Sequence, residues 1–156
     1  MTLLVFVPLD RAAVLALRSG DGRPSYPGCA ATAGLAGTLG PDTAADECEF
    51  AALSSAGVLA LSATTDPGRL VVAAEVAPAQ LIDPGGSTGQ VSVRDLSWPQ
   101  VHALFVDELA AVPAVARARA DLGAVDLVEA LSVPAVAALV DDFDLLWFAP
   151  DELDGL

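Results

Sequence analysis

The sequence predicts an α/β (α+β) sandwich, in which helices pack on a mixed sheet of five or six strands. Three observations support this class: short apolar runs alternate with helical stretches, turn residues separate them, and several runs are apolar on both faces. A strand that is apolar on both faces needs cover on each side of the sheet. A ferredoxin-like variant fits the same pattern.

Size and composition predict a single globular domain over residues 1–156. Of the 156 residues 54% are hydrophobic, and the mean hydropathy is +0.56, which argues against a disordered chain. The 21 acidic and 7 basic residues give a net charge of -14. Such a surface repels phosphate backbones and anionic lipid headgroups, so we expect no nucleic acid and no membrane as a partner.

The N-terminus and the cysteines predict a cytoplasmic protein with free thiols. The opening MTLLVFVPLD has no basic segment, and its apolar run breaks at Pro8, unlike a signal peptide. No window of 18 residues is apolar throughout. Cys29 and Cys48 are too few for a disulfide framework in a chain of this length.

The first forty residues predict a buried strand, a short helix and a weaker strand. LLVFV, residues 3–7, is the buried strand, and a helix capped by Asp10 follows it. Residues 29–33 predict a second strand, although their side chains are small. Residues 21–28 and 34–41 are rich in glycine or proline and predict loops.

The stretch from residue 42 to residue 62 predicts the longest helix. At 100° per residue one stripe of it faces the core, formed by Phe50, Leu53, Gly57, Ala60 and Leu61. Asp42, Asp46 and Glu49 extend this stripe toward the N-terminus. On one interpretation these carboxylates only stabilise the N-terminus of the helix through its dipole, with Asp42 or Thr43 as N-cap. On the other, carboxylates one turn apart line a cleft and hold a cation or a donor group of a substrate.

The rest of the chain predicts further strands and helices in alternation. In order they are a strand at 69–76, a hairpin around 85–89, an edge strand at 91–93, a strand at 101–106, a helix from Pro113, a broken helix at 125–140 and a last buried strand at 144–149.

No complete catalytic set is present. GGSTG, residues 85–89, lacks the lysine of a phosphate-binding loop and precedes a strand rather than a helix. His102 is the only histidine, which excludes sites that need two, and its place in a buried strand predicts a structural imidazole. Asp107 ends that strand, where ligands gather in α/β sheets, although such an acid also simply caps the next helix. Trp147 is predicted to be a core or interface anchor.

VFVPL, DECEFAAL, RLVVAAEV, FVDE and DLLWFAP, in this order, resemble a family of small acidic actinobacterial proteins known only as a domain of unknown function. The family pattern is similar to EELEYAAL at residues 46–53, to HVD at 105–107 and to LLWFATQE at 145–152. The resemblance implies that Glu49, Asp107 and Trp147 are retained, whereas Phe105 replaces the family's histidine and Asp151 its glutamine. It implies no activity.

Two functions follow as hypotheses. The first is a small non-enzymatic cytoplasmic domain that acts through protein–protein association, with a partner protein or as a homo-oligomer. The alternative is a small-molecule or divalent-cation binding protein, or an enzyme, that uses a carboxylate cluster at the N-terminus of the long helix. Glu49, Asp46, Asp107 and Trp147 are its predicted ligand-binding residues. No cofactor, no catalytic residue and no metal site is predicted.

Overall fold

The computed structural model describes residues 1–83 and 85–156. Its centre is a seven-stranded sheet with the order β4-β5-β2-β1-β3-β6-β7, in which each pair of neighbours is antiparallel. The strands are β1 (Leu3–Pro8), β2 (Ser25–Ala30), β3 (Leu70–Val76), β4 (Leu81–Ile82), β5 (Gln90–Arg94), β6 (Val101–Val106) and β7 (Leu146–Phe148).

Helices cover both faces of this sheet, as the two-sided strands predict. They are α1 (Arg11–Arg18), α2 (Ala33–Leu39), α3 (Ala45–Ala63), α4 (Val112–Leu122), α5 (Leu127–Ala130) and α6 (Pro134–Asp142). The five helices α2 to α6 pack on one face, while α1 and a C-terminal 3-10 helix, Pro150–Gly155, pack on the other. The result is one α/β domain with two cores.

The two cores follow from alternation along the central strands. Phe6 of β1 and Ala73 of β3 are paired and face α3, whereas Val5 and Val7 face α1. All four are buried. Because successive side chains of a strand point to opposite faces, an apolar run such as LLVFVP supplies both cores at once.

The predicted mixed sheet of five or six strands is wrong in both respects. The additional strand is the short β4, which is the first arm of the hairpin, and β2 spans Ser25–Ala30 instead of the predicted residues 29–33. The predicted hairpin is confirmed by the β4–β5 pairing, and Pro84 of its loop lies outside the described residues. A ferredoxin-like arrangement does not fit, because α1 connects β1 to its antiparallel neighbour β2.

The buried face of α3 agrees with the predicted stripe only in part, since Gly57, Ala60 and Leu61 are buried. A row of small residues one turn apart is also buried: Cys48, Ala52, Ala56 and Ala60. Phe50, predicted to be in the core, is 60% exposed. The helix also contacts α4, α5 and α6, so apolar residues surround it and periodicity alone could not select the face that meets the sheet.

Two more predicted elements need correction. Residues 34–41 were expected to be a loop, yet most of them lie in α2, where the Thr32 hydroxyl accepts a hydrogen bond from the Leu35 amide at 3.1 Å and Leu35 is buried. The last strand, β7, lies at the sheet edge instead of being buried, since Leu146 and Trp147 are exposed. Along residues 1–83 and 85–156, no helix has the length and apolarity needed to cross a membrane.

Candidate functional site

Three of the four predicted ligand-binding residues share one cavity. Asp46, Glu49 and Trp147 line an opening of about 460 Å³ between the N-terminal half of α3 and strands β1, β6 and β7, together with Phe50, Phe105 and His102. We call this opening the aromatic cleft. The fourth residue, Asp107, does not line it.

Helix and sheet each supply one wall of the aromatic cleft. Asp46 and Glu49 lie three residues apart on α3, so their carboxylates share one side of the helix. Trp147 pairs with Phe105 across the β6–β7 ladder, which places both rings side by side on the same face. The cleft therefore has an acidic wall and an aromatic wall.

The aromatic wall extends from the core to solvent. Phe6 and Phe105 make an edge-to-face contact, with ring centroids 6.3 Å apart. Trp147 and Phe50 are each 60% exposed, on opposite sides of the opening. Aromatic rings left this exposed next to a packed cluster are typical of surfaces that bind a partner.

His102 and Glu75 form a polar rim that the sequence did not predict correctly. His102 was expected to be a buried structural imidazole, but its side chain is 55% exposed, and its Nε2 lies 3.6 Å from Oε2 of Glu75. The Thr2 hydroxyl donates to the same carboxylate oxygen at 3.2 Å. Glu75 is the only charged residue of RLVVAAEV after Arg69, and that break in an apolar strand was the available signal.

Asp107 is part of a buried ion pair at the opposite end of the sheet. Its two carboxylate oxygens accept hydrogen bonds from Nε and Nη2 of Arg69 at 2.9 and 2.8 Å, and the Arg69 amide donates to it at 2.8 Å. The side chains are 3% and 0% exposed. Gly57 makes room for the guanidinium, because a Cβ there would lie 3.2 Å from Nη1 of Arg69. Asp107 is fully engaged.

Asp107 was predicted to bind a ligand on the assumption that neighbouring strands are parallel, so that their carboxyl ends lie side by side. Neighbouring strands of an antiparallel sheet run in opposite directions, so their carboxyl ends lie at opposite ends of the strands. The end of β6 therefore lies beside the start of β3 and not beside the start of α3. Over the described part of the chain, no three His, Cys, Asp or Glu side chains are grouped so that they could hold a metal ion.

Both cysteines are free, as predicted, and both are buried. Burial raises the pKa of the Cys29 thiol to about 12 because the thiolate would lose its hydration. Cys29 is therefore a core residue and a poor nucleophile at neutral pH.

A second and larger cavity lies on the other side of Glu49. It has a volume of about 750 Å³ and lies between α2, the start of α3 and the segment around β4. Five alanines line it, and we call it the alanine-lined cavity: Ala30, Ala31, Ala33, Ala36 and Ala45. Leu4 and Glu49 border both openings, so Glu49 lies at their junction.

The comparisons with known proteins agree with the sequence resemblance. The model of a family described as "Family of unknown function (DUF6912)" matches residues 3–156, so the chain belongs to that family. No curated protein and no solved structure matches it.

Proposed function

We propose that this member of a family of unknown function is a non-enzymatic cytoplasmic domain that associates with a partner protein through the aromatic cleft. The observation that supports the proposal best is that Asp46, Glu49 and Trp147 line one open cavity. A stable fold does not need Trp147 at the surface, whereas a binding surface uses such a ring as an anchor.

The chemistry of the cleft favours a cationic side chain of the partner. The Glu49 carboxylate makes none of the three ion pairs among the described residues, and Asp46 accepts a hydrogen bond only from the amide of Glu47, at 3.0 Å. An arginine guanidinium can donate to these carboxylates and lie against the rings of Trp147 or Phe50. The partner segment we propose therefore carries an arginine or lysine flanked by apolar residues.

The charge of the chain favours a different protein over a second copy. Each copy carries a net charge of -14, and no lysine or arginine lines the aromatic cleft. Two copies that met through this cleft would place carboxylates against carboxylates. We propose a basic partner, and we expect the isolated domain to have the mass of a monomer in solution.

The divalent-cation alternative has less support than association. Of its three predicted carboxylates, Asp107 is bound to Arg69, and Asp46 and Glu49 are too few for a hard cation that takes six or more oxygens. A small-molecule ligand has a separate observation in its favour, the alanine-lined cavity, and is considered below.

A selection of random 12-residue peptides on the immobilised protein tests the proposal. We expect the selected peptides to be enriched in arginine or lysine next to apolar residues. Calorimetry on one synthetic peptide should show affinity about tenfold weaker for Glu49→Gln and for Trp147→Ala. Glu47→Gln, which removes an exposed acid in the same helical turn, should change it less than about twofold. Selected peptides without basic residues would contradict the proposal.

A further inference from the structure

The alanine-lined cavity has the size and the lining of a small-molecule site. Its volume of about 750 Å³ lies within the range of about 300 to 1,000 Å³ that is usual for ligand pockets. Its apolar wall includes Leu3, Leu4, Leu81 and Val91 in addition to the alanines. Ala33 and Ala36 of α2 and Ala45 of α3 line it at exposed positions, where larger side chains would occupy part of its space.

Most polar groups at this cavity are already used by the protein itself. The Thr32 hydroxyl caps α2, the Thr43 hydroxyl donates to the Leu39 carbonyl at 3.1 Å, and the Thr2 hydroxyl donates to Glu75. Asp83 accepts a hydrogen bond from the amide of Gly85 at 2.7 Å. The contacts of Thr32, Thr43 and Asp83 are local and hold a loop or a helix end, whereas the Thr2 contact reaches across to strand β3.

Glu49 differs from these four residues. Over residues 1–83 and 85–156 its carboxylate makes neither a hydrogen bond nor an ion pair, and it lines the cavity half-buried, whereas Asp83 is exposed. A carboxylate beside an apolar wall binds a positively charged donor most strongly. The wall keeps water away from the pair, and the electrostatic attraction between the two charges is stronger where less water screens it.

From these observations we infer that the alanine-lined cavity binds a small lipophilic amine, whose ammonium group donates to Glu49 and whose hydrocarbon body lies among the alanines. Charge complementarity selects the amine over an alcohol or an acid of the same shape. The acid would meet Glu49 with like charge, and the alcohol would offer a weaker hydrogen bond. This site goes beyond the proposed protein association, although both use Glu49.

Titration of three probes with the same body tests the inference: 4-phenylbutylamine, 4-phenylbutanol and 4-phenylbutanoate. We expect the amine to bind and to raise the melting temperature, the alcohol to bind about tenfold more weakly, and the acid not to bind. Equal binding of the alcohol and the amine would overturn the inference, and so would an amine that does not bind.

Two variants separate this site from the aromatic cleft. Ala36→Phe places a ring at an exposed position that borders only the alanine-lined cavity, and Trp147→Ala changes only the aromatic cleft. We expect Ala36→Phe to weaken amine binding more than about tenfold and to leave peptide binding unchanged. Trp147→Ala should weaken peptide binding and leave amine binding unchanged. A result that contradicts one proposal therefore does not count against the other.

Glu49→Gln should weaken the amine and the basic peptide alike, by about tenfold each. If Ala36→Phe loses its cooperative melting transition, Ala45→Leu at the exposed start of α3 obstructs the same cavity and decides the matter. Amine affinity unchanged in both cavity variants would overturn the inference.

Discussion

The two ends of α3 differ in how their polar groups are satisfied. At the C-terminal end Arg119 of α4 donates from Nε to the Leu61 carbonyl at 3.2 Å, from Nη2 to the Thr64 hydroxyl at 3.1 Å, and from Nη1 to the Asp66 carbonyl. At the N-terminal end the N-cap is Ala44, whose side chain makes no capping bond. Cavities lie on both sides of that end.

The charged side chains at one end of α3 are bound within the protein, whereas those at the other end are available to bind a ligand or a partner. Arg119 and the Arg69–Asp107 pair lie around the C-terminal half of α3, and every donor described above has a protein acceptor. Asp46 lies in the first turn of α3, where the helix dipole stabilises a carboxylate, and Glu49 lies one turn further on; over residues 1–83 and 85–156 neither makes an ion pair. Substitutions at the first end should therefore change stability, and substitutions at the second should change binding.

Asp107→Asn is expected to have the largest effect on stability. It leaves the Arg69 guanidinium buried without a counter-charge, which should lower the free energy of unfolding by about 3 to 5 kcal/mol in urea denaturation. Asp141→Asn, at an exposed position, should change it by less than about 0.5 kcal/mol. The double variant Arg69→Met with Asp107→Leu should recover most of the loss, and no recovery would show that the pair is more than a buried ion pair.

Arg119→Ala should come next. It removes donors from carbonyls at the C-terminus of α3, and hydrogen bonds from a charged group are worth more than neutral ones, so we expect a loss of about 2 kcal/mol. Arg117→Ala, exposed on the same helix, is the control and should lie within about 0.5 kcal/mol of the unmodified protein. Equal losses in both variants would contradict a structural role for Arg119 at the C-terminal end of α3.

The labelling rates of the two thiols measure how accessible the alanine-lined cavity makes the N-terminal half of α3. Cys48 borders the alanine-lined cavity, whereas Cys29 does not. We expect a thiol reagent at pH 8 to label Cys48 in the folded protein more than about tenfold faster than Cys29. Because the pKa of Cys29 is raised to about 12, its labelling should increase as the pH rises toward that value. Equal rates at pH 8, measured by mass spectrometry of peptides, would mean that both thiols react through unfolding.

Glu49→Gln should have the smallest effect on stability. Among the described residues the Glu49 carboxylate makes no ion pair, and it lies beyond the first turn, where the helix dipole acts most strongly, so the free energy of unfolding should fall by less than about 1 kcal/mol. Urea denaturation beside Asp107→Asn gives the comparison directly. A loss as large as that of Asp107→Asn would make Glu49 a structural residue.

The sequence predicted the strands best where apolar side chains serve both faces. VFVP in β1 and LVVAAEV in β3 are buried runs whose length and β-branched residues indicate strands without any knowledge of their neighbours. The predictions missed α2 and placed β2 at residues 29–33 instead of Ser25–Ala30, because there small residues and glycines give weak local signals and packing against α3 and β1 decides the structure.

The candidate site was predictable in part for a related reason. Asp46 and Glu49 lie together because of helical periodicity, which is local. Trp147 joins them because β7 pairs with β6. Asp107 does not join them because β6 ends beside the start of β3, away from the start of α3. Both outcomes depend on strand order and strand direction. Neither fact is encoded near the residues concerned.

We propose that the N-terminal end of α3, and not its C-terminal end, binds the partner. Backbone amide shifts of the labelled protein, recorded during titration with a selected basic peptide, test it directly. We expect the perturbed amides to cluster around residues 46–50, 102–105 and 147, with residues 61–69 unchanged. Perturbations centred on residues 61–69 and 107, or none at saturating peptide, would contradict the claim.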